Sequence, residues 1–249
     1  MKKRPLTSAL VLIILLFAGA GAAGAGVNNG FLALDDPGKM YELTGTWKFM
    51  PADNLDYARR DFDDSSWGSI RVPGGWHIQG HEYDGTAWFR MKFTVSGALA
   101  GRNLRIITPY IDHAAEIYLN GALVGGRGRI SDDGKLLESN SRNSVYWLRG
   151  DLIDVNGPNT LAFRVAGKAG IGGFAFAYFR IGEAELIQDS FYRYVISISF
   201  ISSIFIFMGL YHLLLYSWRK KEKHYLSFGI LAILTGLQQM AIKTVGFWI

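Results

Sequence analysis

Residues 111–125 read IDHAAEIYLNGALVG, and this stretch predicts its local structure with less ambiguity than any other part of the chain. Asn120 and Gly121 stand between two apolar-rich runs, and Asn-Gly is the pair that most readily adopts the positive φ angles of a type I′ turn. The stretch therefore predicts a tight antiparallel hairpin. A two-residue loop sets the cross-strand pairs, which are Leu119 with Ala122, Tyr118 with Leu123 and Ile117 with Val124.

This pairing sorts the hairpin side chains onto two faces. One face carries Ile117, Leu119 and Val124, which are predicted to enter the hydrophobic core. Tyr118 and Leu123 point the opposite way and are also apolar, so we expect protein to cover both faces. The sequence thus places this strand pair in the middle of a sheet sandwich and not at a wet edge.

Charge is distributed unevenly along the 249 residues. The whole chain carries 26 Lys and Arg against 21 Asp and Glu, a formal charge of +5. Residues 28–189 carry 17 Lys and Arg against 20 Asp and Glu, a charge of −3, so the basic residues concentrate in the ends. A nucleic-acid-binding domain needs clustered cations on its folded surface. The distribution therefore argues against nucleic acid as a partner.

The chain contains no cysteine. Disulfides, thiolate metal sites and cysteine nucleophiles are therefore excluded, and a domain of about 160 residues is large enough to fold without such cross-links. The glycine-rich stretches contain neither a GxxxxGK[ST] loop nor a GxGxxG loop that opens a helix. We expect neither a cofactor nor a metal ion.

Residues 1–26 have the order of an export signal. Lys2, Lys3 and Arg4 precede an apolar run over residues 9–17, and small residues rich in Ala and Gly follow it. We expect cleavage, because the apolar run has the length found in signal peptides; an uncleaved N-terminal anchor is the alternative. Either outcome places the next segment outside the cytoplasm.

Residues 28–189 consist of short β-type runs separated by Gly, Asp, Asn and Pro. This pattern, without a helical period, is typical of an all-β sandwich. The predicted strands cover residues 45–49, 69–72, 86–95, 103–108, 115–119, 122–126, 145–148, 160–165 and 184–187. Residues 125–143 are rich in charged and small polar side chains and are expected to form a long exposed loop.

Five short motifs occur in an order that resembles a known family. They are Trp47-Lys48-Phe49, Phe62-Asp63-Asp64-Ser65-Ser66-Trp67, Val72-Pro73, Trp88-Phe89-Arg90-Met91-Lys92-Phe93 and Tyr118-Leu119-Asn120-Gly121. Together they are similar to the sugar-binding jelly-roll domain of glycoside hydrolase family 2, over residues 43–165. The resemblance implies an all-β jelly-roll sandwich of the galactose-binding-like type. The resemblance supports the fold more directly than it supports sugar binding, because these motifs are mainly structural in that family.

Two apolar segments follow the β-rich region. Residues 194–218 are almost wholly apolar and long enough to cross a hydrocarbon layer of about 30 Å at about 1.5 Å per residue. Four cations follow at once in the segment 219–225, and such a cluster marks the cytoplasmic side. Residues 226–249 are predicted to cross back outward. We therefore expect a β domain in the periplasm or outside the cell, attached to the bacterial inner membrane.

An exported jelly roll followed by membrane helices resembles the bacterial seven-transmembrane receptors with diverse intracellular signalling modules. The resemblance implies that the outer domain binds a carbohydrate or another small ligand and that the helices pass the signal to an output module. This chain holds two helices of such a bundle, so we expect it to stop before the remaining helices and the output module. A homodimer is compatible with this interpretation.

Residues 74–84 contain the richest cluster of polar and aromatic side chains. A glycine-flanked loop of this kind can stack a sugar ring on an indole and hydrogen-bond its hydroxyl groups. The candidate ligand-binding residues are Trp76, His77, His81, Glu82 and Tyr83, with Arg127 in the 125–143 loop and Tyr178 in the aromatic run 174–178. The alternatives are a loop that packs over the end of the sandwich with Trp76 as its plug, and core packing for the aromatic run.

Two further kinds of site are conceivable from the sequence, a metal site and a catalytic acid. His77, His81 and Glu82 are metal-ligand types, but an i, i+4 spacing gathers them only on a helix, which the flanking glycines disfavour. Asp112 could serve as a catalytic acid if its pKa were raised, although a structural role at the strand entry is favoured.

Glycoside hydrolases of family 2 carry their catalytic acids in a separate barrel domain, to which no part of the resemblance extends. We therefore predict that this chain is not an enzyme and that it has no catalytic residues. A membrane-tethered carbohydrate-active enzyme, acting through Asp112 or Glu82, is the first alternative. A structural envelope protein is the second.

Overall fold

The computed structural model describes residues 26–141, 144–175 and 179–248, with side chains described in those ranges except at 191, 194 and 241–248. The predicted leader, residues 1–26, lies almost wholly outside the described residues. In chain order the strands are β1 (Phe31–Leu34), β2 (Met40–Glu42), β3 (Gly45–Met50), β4 (Gly68–Val72), β5 (Gly74–Gly75), β6 (Thr86–Val95), β7 (Leu104–Thr108), β8 (Ala114–Leu119), β9 (Ala122–Arg127), β10 (Arg129–Ile130), β11 (Leu136–Glu138), β12 (Ser144–Leu148), β13 (Asn159–Ala166), β14 (Gly173–Phe174) and β15 (Arg180–Glu183). The helices are α1 (Ala184–Trp218) and α2 (Lys223–Trp248).

The strands form two main sheets that pack face to face. One has the order β4-β3-β6-β13-β8-β9, with β1 parallel to the end of β6, and the other has the order β12-β7-β15-β2. Apolar side chains from both sheets enter one core, among them Phe89 and Phe163 from the larger sheet and Ile106 and Ile181 from the smaller one. The predicted β-rich fold is confirmed, whereas the jelly-roll connectivity stays a prediction.

The β8–β9 hairpin turns at Asn120 and Gly121, whose φ angles are +51° and +90°. Its first two cross-strand pairs agree with the prediction. A β-bulge then shifts the register, so Ile117 pairs with Gly125 and not with Val124. The turn was predictable from two residues, but the bulge was not.

Strand β9 is the edge of the larger sheet, which corrects the predicted position of the hairpin in the middle of a sandwich. Tyr118 on β8 is buried on the outer face, whereas Leu123 on β9 is 61% exposed. The covering of the outer face therefore ends at β8. The predicted loop 125–143 is also partly structured, because β10 and β11 pair and Ile130 is buried against β8 and β13.

Helix α1 begins at Ala184, directly after β15 ends at Glu183. The strand predicted over residues 184–187 is therefore wrong. These residues form the first turn of the helix, with Ala184 and Ile187 buried at the i, i+3 spacing. The predicted span 194–218 lies within the same helix, so the sandwich joins it without a flexible linker.

Helices α1 and α2 form an antiparallel pair whose backbones touch. A Cβ atom on Gly209 would lie 2.7 Å from the carbonyl oxygen of Gly229, and one on Gly229 would lie 3.0 Å from the carbonyl oxygen of Gly209. Ser202 and Ala232 are buried in the same interface. Small residues allow this approach, as they do between membrane helices. Within the described part of the chain, α1 is the one helix long and apolar enough to cross a membrane.

Candidate functional site

Three loops meet at one end of the sandwich, and we call residues 73–85, 109–113 and 167–175 the loop cluster. Short strands β5 and β14 pair inside it. The backbone N–H of Asp112 donates to the carbonyl oxygen of Gly173 at 3.1 Å, and that of Ala175 donates to the oxygen of Tyr110 at 2.8 Å. The N–H of Trp76 donates to Gly172 at 2.9 Å. Main-chain bonds therefore hold the three loops in one arrangement.

Strand β7 connects this cluster to the opposite end of the molecule. Its first residue, Leu104, pairs with Glu183 beside the start of α1, and its last residue, Thr108, leads into loop 109–113. Five strand residues extend roughly 17 Å at about 3.3 Å each. The loop cluster thus lies at the end of the sandwich farthest from the helix.

Trp76 is fully buried in the core below the cluster. Its indole Nε1 donates to the carbonyl oxygens of Tyr83 and Gly170, at 3.1 and 3.0 Å. A Cβ on Gly167 or Gly172 would lie 2.3 or 2.2 Å from the indole ring, so these glycines make room for it. The indole has no free face, which contradicts the predicted stacking role of Trp76 and matches the alternative of a plug.

The other predicted loop residues separate into outward and inward side chains. His77, in the 3₁₀ helix His77–Gln79, and Glu82 are exposed. His81 is half-buried, and its ring centroid lies 4.9 Å from that of Phe49. The hydroxyl of Tyr83 donates to the carbonyl oxygen of Thr86 at 3.0 Å. Of the five predicted loop residues, His77 and Glu82 are the most exposed.

Burial raises the pKa of Tyr83, and the negative charges of Asp53 and Asp84 raise it further. The phenol therefore stays neutral across the physiological range and acts as a hydrogen-bond donor to the backbone. Among the described residues, no group of three or more His, Cys, Asp or Glu side chains is placed to hold a metal ion.

Asp112 is the partly buried acidic residue of the loop cluster, whereas Glu82 and Asp84 are exposed. Burial raises the pKa of its carboxyl, while the nearby charges of His113 and His77 lower that pKa and offset part of the shift. His113 adopts a φ of +58°, and its carbonyl oxygen accepts the N–H of Asn140 at 2.7 Å. A half-buried carboxyl beside two imidazoles offers both acceptors and donors to a polar ligand.

Apolar and aromatic groups surround these polar ones. Tyr110 and Ile171 are each 46% exposed, and Ile78 is 58% exposed, all within the loop cluster. A tyrosine ring and aliphatic side chains beside a few fixed polar groups are typical of small-ligand sites, and they suit the mixed polar and apolar surface of a sugar. The structure thus shifts the candidate site from Trp76 to His77, Tyr110 and Asp112.

The two remaining predicted residues lie elsewhere. Arg127 lies on β9, where its Nε donates to the hydroxyl of Ser144, so it belongs to the contact between the two sheets and not to the loop cluster. Tyr178 lies outside the described residues. Phe174, from the same aromatic run, is buried in the core, as the alternative for that run predicted.

The outer face of the larger sheet contains a buried polar network that the sequence did not predict. Arg164 is almost completely buried, and it donates to both carboxylate oxygens of Asp53 at 2.9 and 2.6 Å and to Glu116 at 3.1 Å. Trp88 Nε1 and the Tyr118 hydroxyl donate to these same carboxylates, at 2.8 and 2.7 Å. Every carboxylate in the network is therefore satisfied, which assigns Glu116 a structural role.

Burial and the charges in this network shift the pKa values of Tyr118 and Arg164. Burial raises the pKa of Tyr118, and the hydrogen bond to Glu116 raises it further. Burial alone would lower the pKa of Arg164, but the hydrogen bonds to Asp53 and Glu116 raise it overall. Both groups keep their protons across the physiological range, so the network does not change charge there.

A second buried arginine anchors the segment that covers this face. The Nε of Arg90 donates to Asp64 at 2.9 Å, and its other nitrogens donate to backbone oxygens of Tyr57, Arg59 and Phe62. Arg90 and Arg164 lie on neighbouring strands at positions that alternate with core residues. That alternation places both side chains on the outer face of the sheet.

Two curated proteins illustrate what the sequence is similar to. It is 27% identical over 108 residues to the β-galactosidase BoGH2A of Bacteroides ovatus, a match that covers 38% of this chain and 13% of that enzyme. It is 27% identical over 98 residues to a putative β-glucuronidase of Formosa agariphila, covering 34% of this chain and 10% of the relative. The chain thus spans about a tenth of the length of either relative. No family model matches the sequence.

Two solved β-glucuronidase structures are also similar to part of the chain. The crystal structure of a Bacteroides uniformis β-glucuronidase is 22% identical, with a TM-score of 0.46, over 57% of this chain and 17% of that one. A β-glucuronidase from glycoside hydrolase family 2 is 15% identical, with a TM-score of 0.48, over the same share of this chain. The sequence similarity to the two curated relatives agrees with the resemblance found in the five sequence motifs.

Proposed function

We propose that this protein is a carbohydrate-binding sensor domain held at a membrane by a helical pair, the outer part of a bacterial signalling receptor. The observation that carries the proposal is the loop cluster, where His77, Tyr110 and Asp112 present donors, acceptors and an aromatic ring on a fixed backbone. The names of the curated relatives describe enzymes that act on sugars, and the matched region makes up roughly a tenth of each relative. This supports a role in sugar binding for a chain that matches only a part of those enzymes.

The membrane part of the proposal rests on α1. Its 35 residues extend about 52 Å at about 1.5 Å each, more than the roughly 30 Å of a hydrocarbon layer. Exposed side chains along it are large and apolar; they include Ile196, Phe200, Ile204, Phe207 and Leu214. A long helix with such a surface is suited to lipid or to further helices. We assign residues 194–218 to the membrane and residues 184–193 to the space above it.

The orientation follows from the charges beside the helix end. Arg219, Lys220, Lys221 and Lys223 come directly after the proposed span, and they are expected on the cytoplasmic side. The sandwich then lies on the opposite side, in the periplasm or outside the cell. Sugars present there reach the loop cluster without crossing the inner membrane.

The coupling between ligand and membrane uses β7 and β15. Loop 109–113 follows one end of β7, and Asn103 at the other end accepts the N–H of Ala184, the first residue of α1, at 3.0 Å. Arg102 and Glu183 form an ion pair at the same junction. A ligand that binds one arrangement of the loops more tightly therefore favours one position of the helix, which is the population shift expected of a receptor.

A glycan array tests the proposal directly. The full chain, purified in lipid nanodiscs, is applied to the array beside the double variant His77→Ala/Tyr110→Ala. The control variant is Leu123→Ala, which changes an exposed residue of the β8–β9 hairpin outside the loop cluster. Binding to a defined set of glycans that the double variant loses and the control keeps supports the proposal. Hydrolysis of an arrayed glycoside favours the enzyme alternative, and the absence of any bound glycan contradicts carbohydrate sensing.

A further inference from the structure

The smaller sheet has an outer face that carries its own polar and aromatic groups. Tyr41, Ile106, Leu148 and Ile181 point inward to the core. The alternate positions point outward, and they are Glu42, Arg105, Ile107, Val145, Trp147 and Arg180. Trp147 on this face is 49% exposed, in contrast to the buried Trp76 of the loop cluster.

Arg105 and Trp147 form a stacked pair at the β12 edge of this face. They are cross-strand partners on β7 and β12, and the guanidinium carbon of Arg105 lies 3.7 Å from the indole centroid. The neighbouring Arg180 is paired with Glu42 on the same face. Among the described residues, Arg105 has no carboxylate partner, and its buried Nε has no hydrogen-bond partner. An uncompensated cation therefore stands next to an exposed indole.

We propose that this face, centred on Arg105 and Trp147, binds an acidic sugar. The apolar C–H face of a sugar ring packs on an indole, and a guanidinium binds a carboxylate through paired, charge-assisted hydrogen bonds. The free cation of Arg105 complements the charge of a uronic acid and gives no comparable gain to a neutral sugar. This inference rests on the proposed carbohydrate function and names a ligand class and a second site for it.

The position of the pair in the fold favours a glycan over a lipid headgroup. Arg105 pairs with Gly182, two residues before α1 begins, and residues 184–193 separate that point from the proposed span. At about 1.5 Å per helical residue and about 3.3 Å per strand residue, the pair lies roughly 20 Å above the span when the helix stands upright. Headgroups lie closer to the hydrocarbon layer than this.

Calorimetry on the full chain in zwitterionic nanodiscs tests the inference, with trigalacturonic acid and neutral galactotriose as probes. We expect at least tenfold tighter binding of the acid, falling with added salt. Arg105→Gln and Trp147→Ala should each lower the affinity for the acid by about tenfold or more. Arg149→Gln, which removes an exposed arginine just beyond β12, is the matched control. Trp147→Phe keeps a ring and should recover part of the binding.

The outcomes separate this inference from the proposed function. Acid binding that survives Arg105→Gln and Trp147→Ala but is lost in His77→Ala overturns the second site and leaves carbohydrate sensing in place. Tighter binding of the neutral trisaccharide likewise overturns the acidic-sugar site and leaves carbohydrate sensing in place. Arg105-dependent binding to phosphatidylglycerol nanodiscs without binding of the acid overturns the inference in favour of a lipid. Failure of every sugar to bind wild-type protein contradicts the proposed function itself.

Discussion

Asn103 and Ala184 are joined by a 3.0 Å hydrogen bond from the N–H of Ala184 to the carbonyl oxygen of Asn103, at the point where β15 becomes α1. This bond fixes the first turn of the long helix to the strand that leads to loop 109–113. A flexible connection at this point would let the sandwich and the helix move independently. The absence of such a connection gives the proposed sensor a rigid path from its ligand to the membrane.

Insertion of four Gly and Ser residues between Glu183 and Ala184 tests that path. Because a flexible linker removes the geometric constraint, we expect sugar affinity to change less than about twofold, whereas the ligand-induced movement of α1 is lost. The chain has no cysteine, so spin labels attach only at introduced sites. Electron paramagnetic resonance between labels at Asp61→Cys and Lys221→Cys reports the movement. The same insertion after Asp133 is the control, and movement that persists with the linker at Ala184 rules out rigid coupling.

Arg164→Met tests the buried polar network. The substitution leaves the mostly buried carboxylates of Asp53 and Glu116 without their cation, so we expect a loss of about 3 to 5 kcal/mol in the free energy of unfolding. Arg149→Met breaks a solvent-exposed pair with Asp151 and should change the stability little, because water screens such a pair. Urea denaturation followed by tryptophan fluorescence measures both. Equal losses in the two variants would show that the network does not stabilise the sandwich.

Trp76→Ala distinguishes a plug from a stacking platform. Removal of a fully buried indole should cost about 3 to 5 kcal/mol of stability. Trp147→Ala, at an exposed indole, should cost much less while affecting binding of the acidic sugar. A Trp76 variant with wild-type thermal stability and lost sugar binding would restore the stacking role that the sequence predicted.

Asp112→Asn should change the pH dependence of stability. Burial raises the pKa of the folded carboxyl above its ordinary value of 3.8, so the folded state binds the proton more tightly than the unfolded state. The stability that comes from this proton is complete below about pH 3.8 and is lost as the pH rises through the folded pKa. We therefore expect the melting temperature of the variant, relative to wild type, to be higher at pH 7 than at pH 3.

Asp61→Asn is the matched control with the opposite sign. The hydrogen bond from Arg59 lowers the pKa of Asp61, so its contribution is present above the unfolded pKa and is lost in acid. This variant should lose more stability relative to wild type at pH 7 than at pH 3, because the contribution of the carboxylate fades as the pH falls through its lowered pKa. The same sign in both variants would contradict the assigned cause of the Asp112 shift.

Gly209→Leu tests the packing of the two helices. A leucine at this position would overlap the backbone of Gly229, and overpacking of this kind costs about 1 to 3 kcal/mol. We expect a broader distance distribution between spin labels at Ile204→Cys and Leu234→Cys in nanodiscs. Ser217→Leu, at an exposed position on the same helix, should leave the distribution unchanged. An unchanged distribution in both variants would contradict the close glycine contact.

Several elements could be predicted because local residues determine them. The Asn120–Gly121 turn follows from the Asn-Gly pair, which favours positive φ angles. Strand β6 was predicted over its full range because six of its ten residues are Thr, Trp, Phe or Val and no Gly or Pro interrupts the run. Residues 184–187 were wrongly predicted as a strand, because a stretch of only four residues is compatible with both the two-residue period of a strand and the 3.6-residue period of a helix. Their burial at Ala184 and Ile187 is helical, but a helix is recognisable there only when the following thirty residues are taken together.

The site was less predictable than the fold. A Trp among glycines and histidines has the composition of a ligand loop, and nothing near it in the sequence shows that Gly167 and Gly172, about ninety residues later, leave space for its ring. Arg90 and Arg164 were overlooked because strand alternation places them outward, where a charged side chain is ordinarily solvated. The segments that bury them come from distant parts of the sequence.

The most direct test of the account is calorimetric titration of the full chain in nanodiscs with neutral and acidic sugars. The account predicts saturable binding of at least one sugar, weakened about tenfold or more by His77→Ala/Tyr110→Ala or by Arg105→Gln and unchanged by Leu123→Ala. Titrations that show no saturable heat with any sugar, from protein whose sandwich is folded, would contradict it.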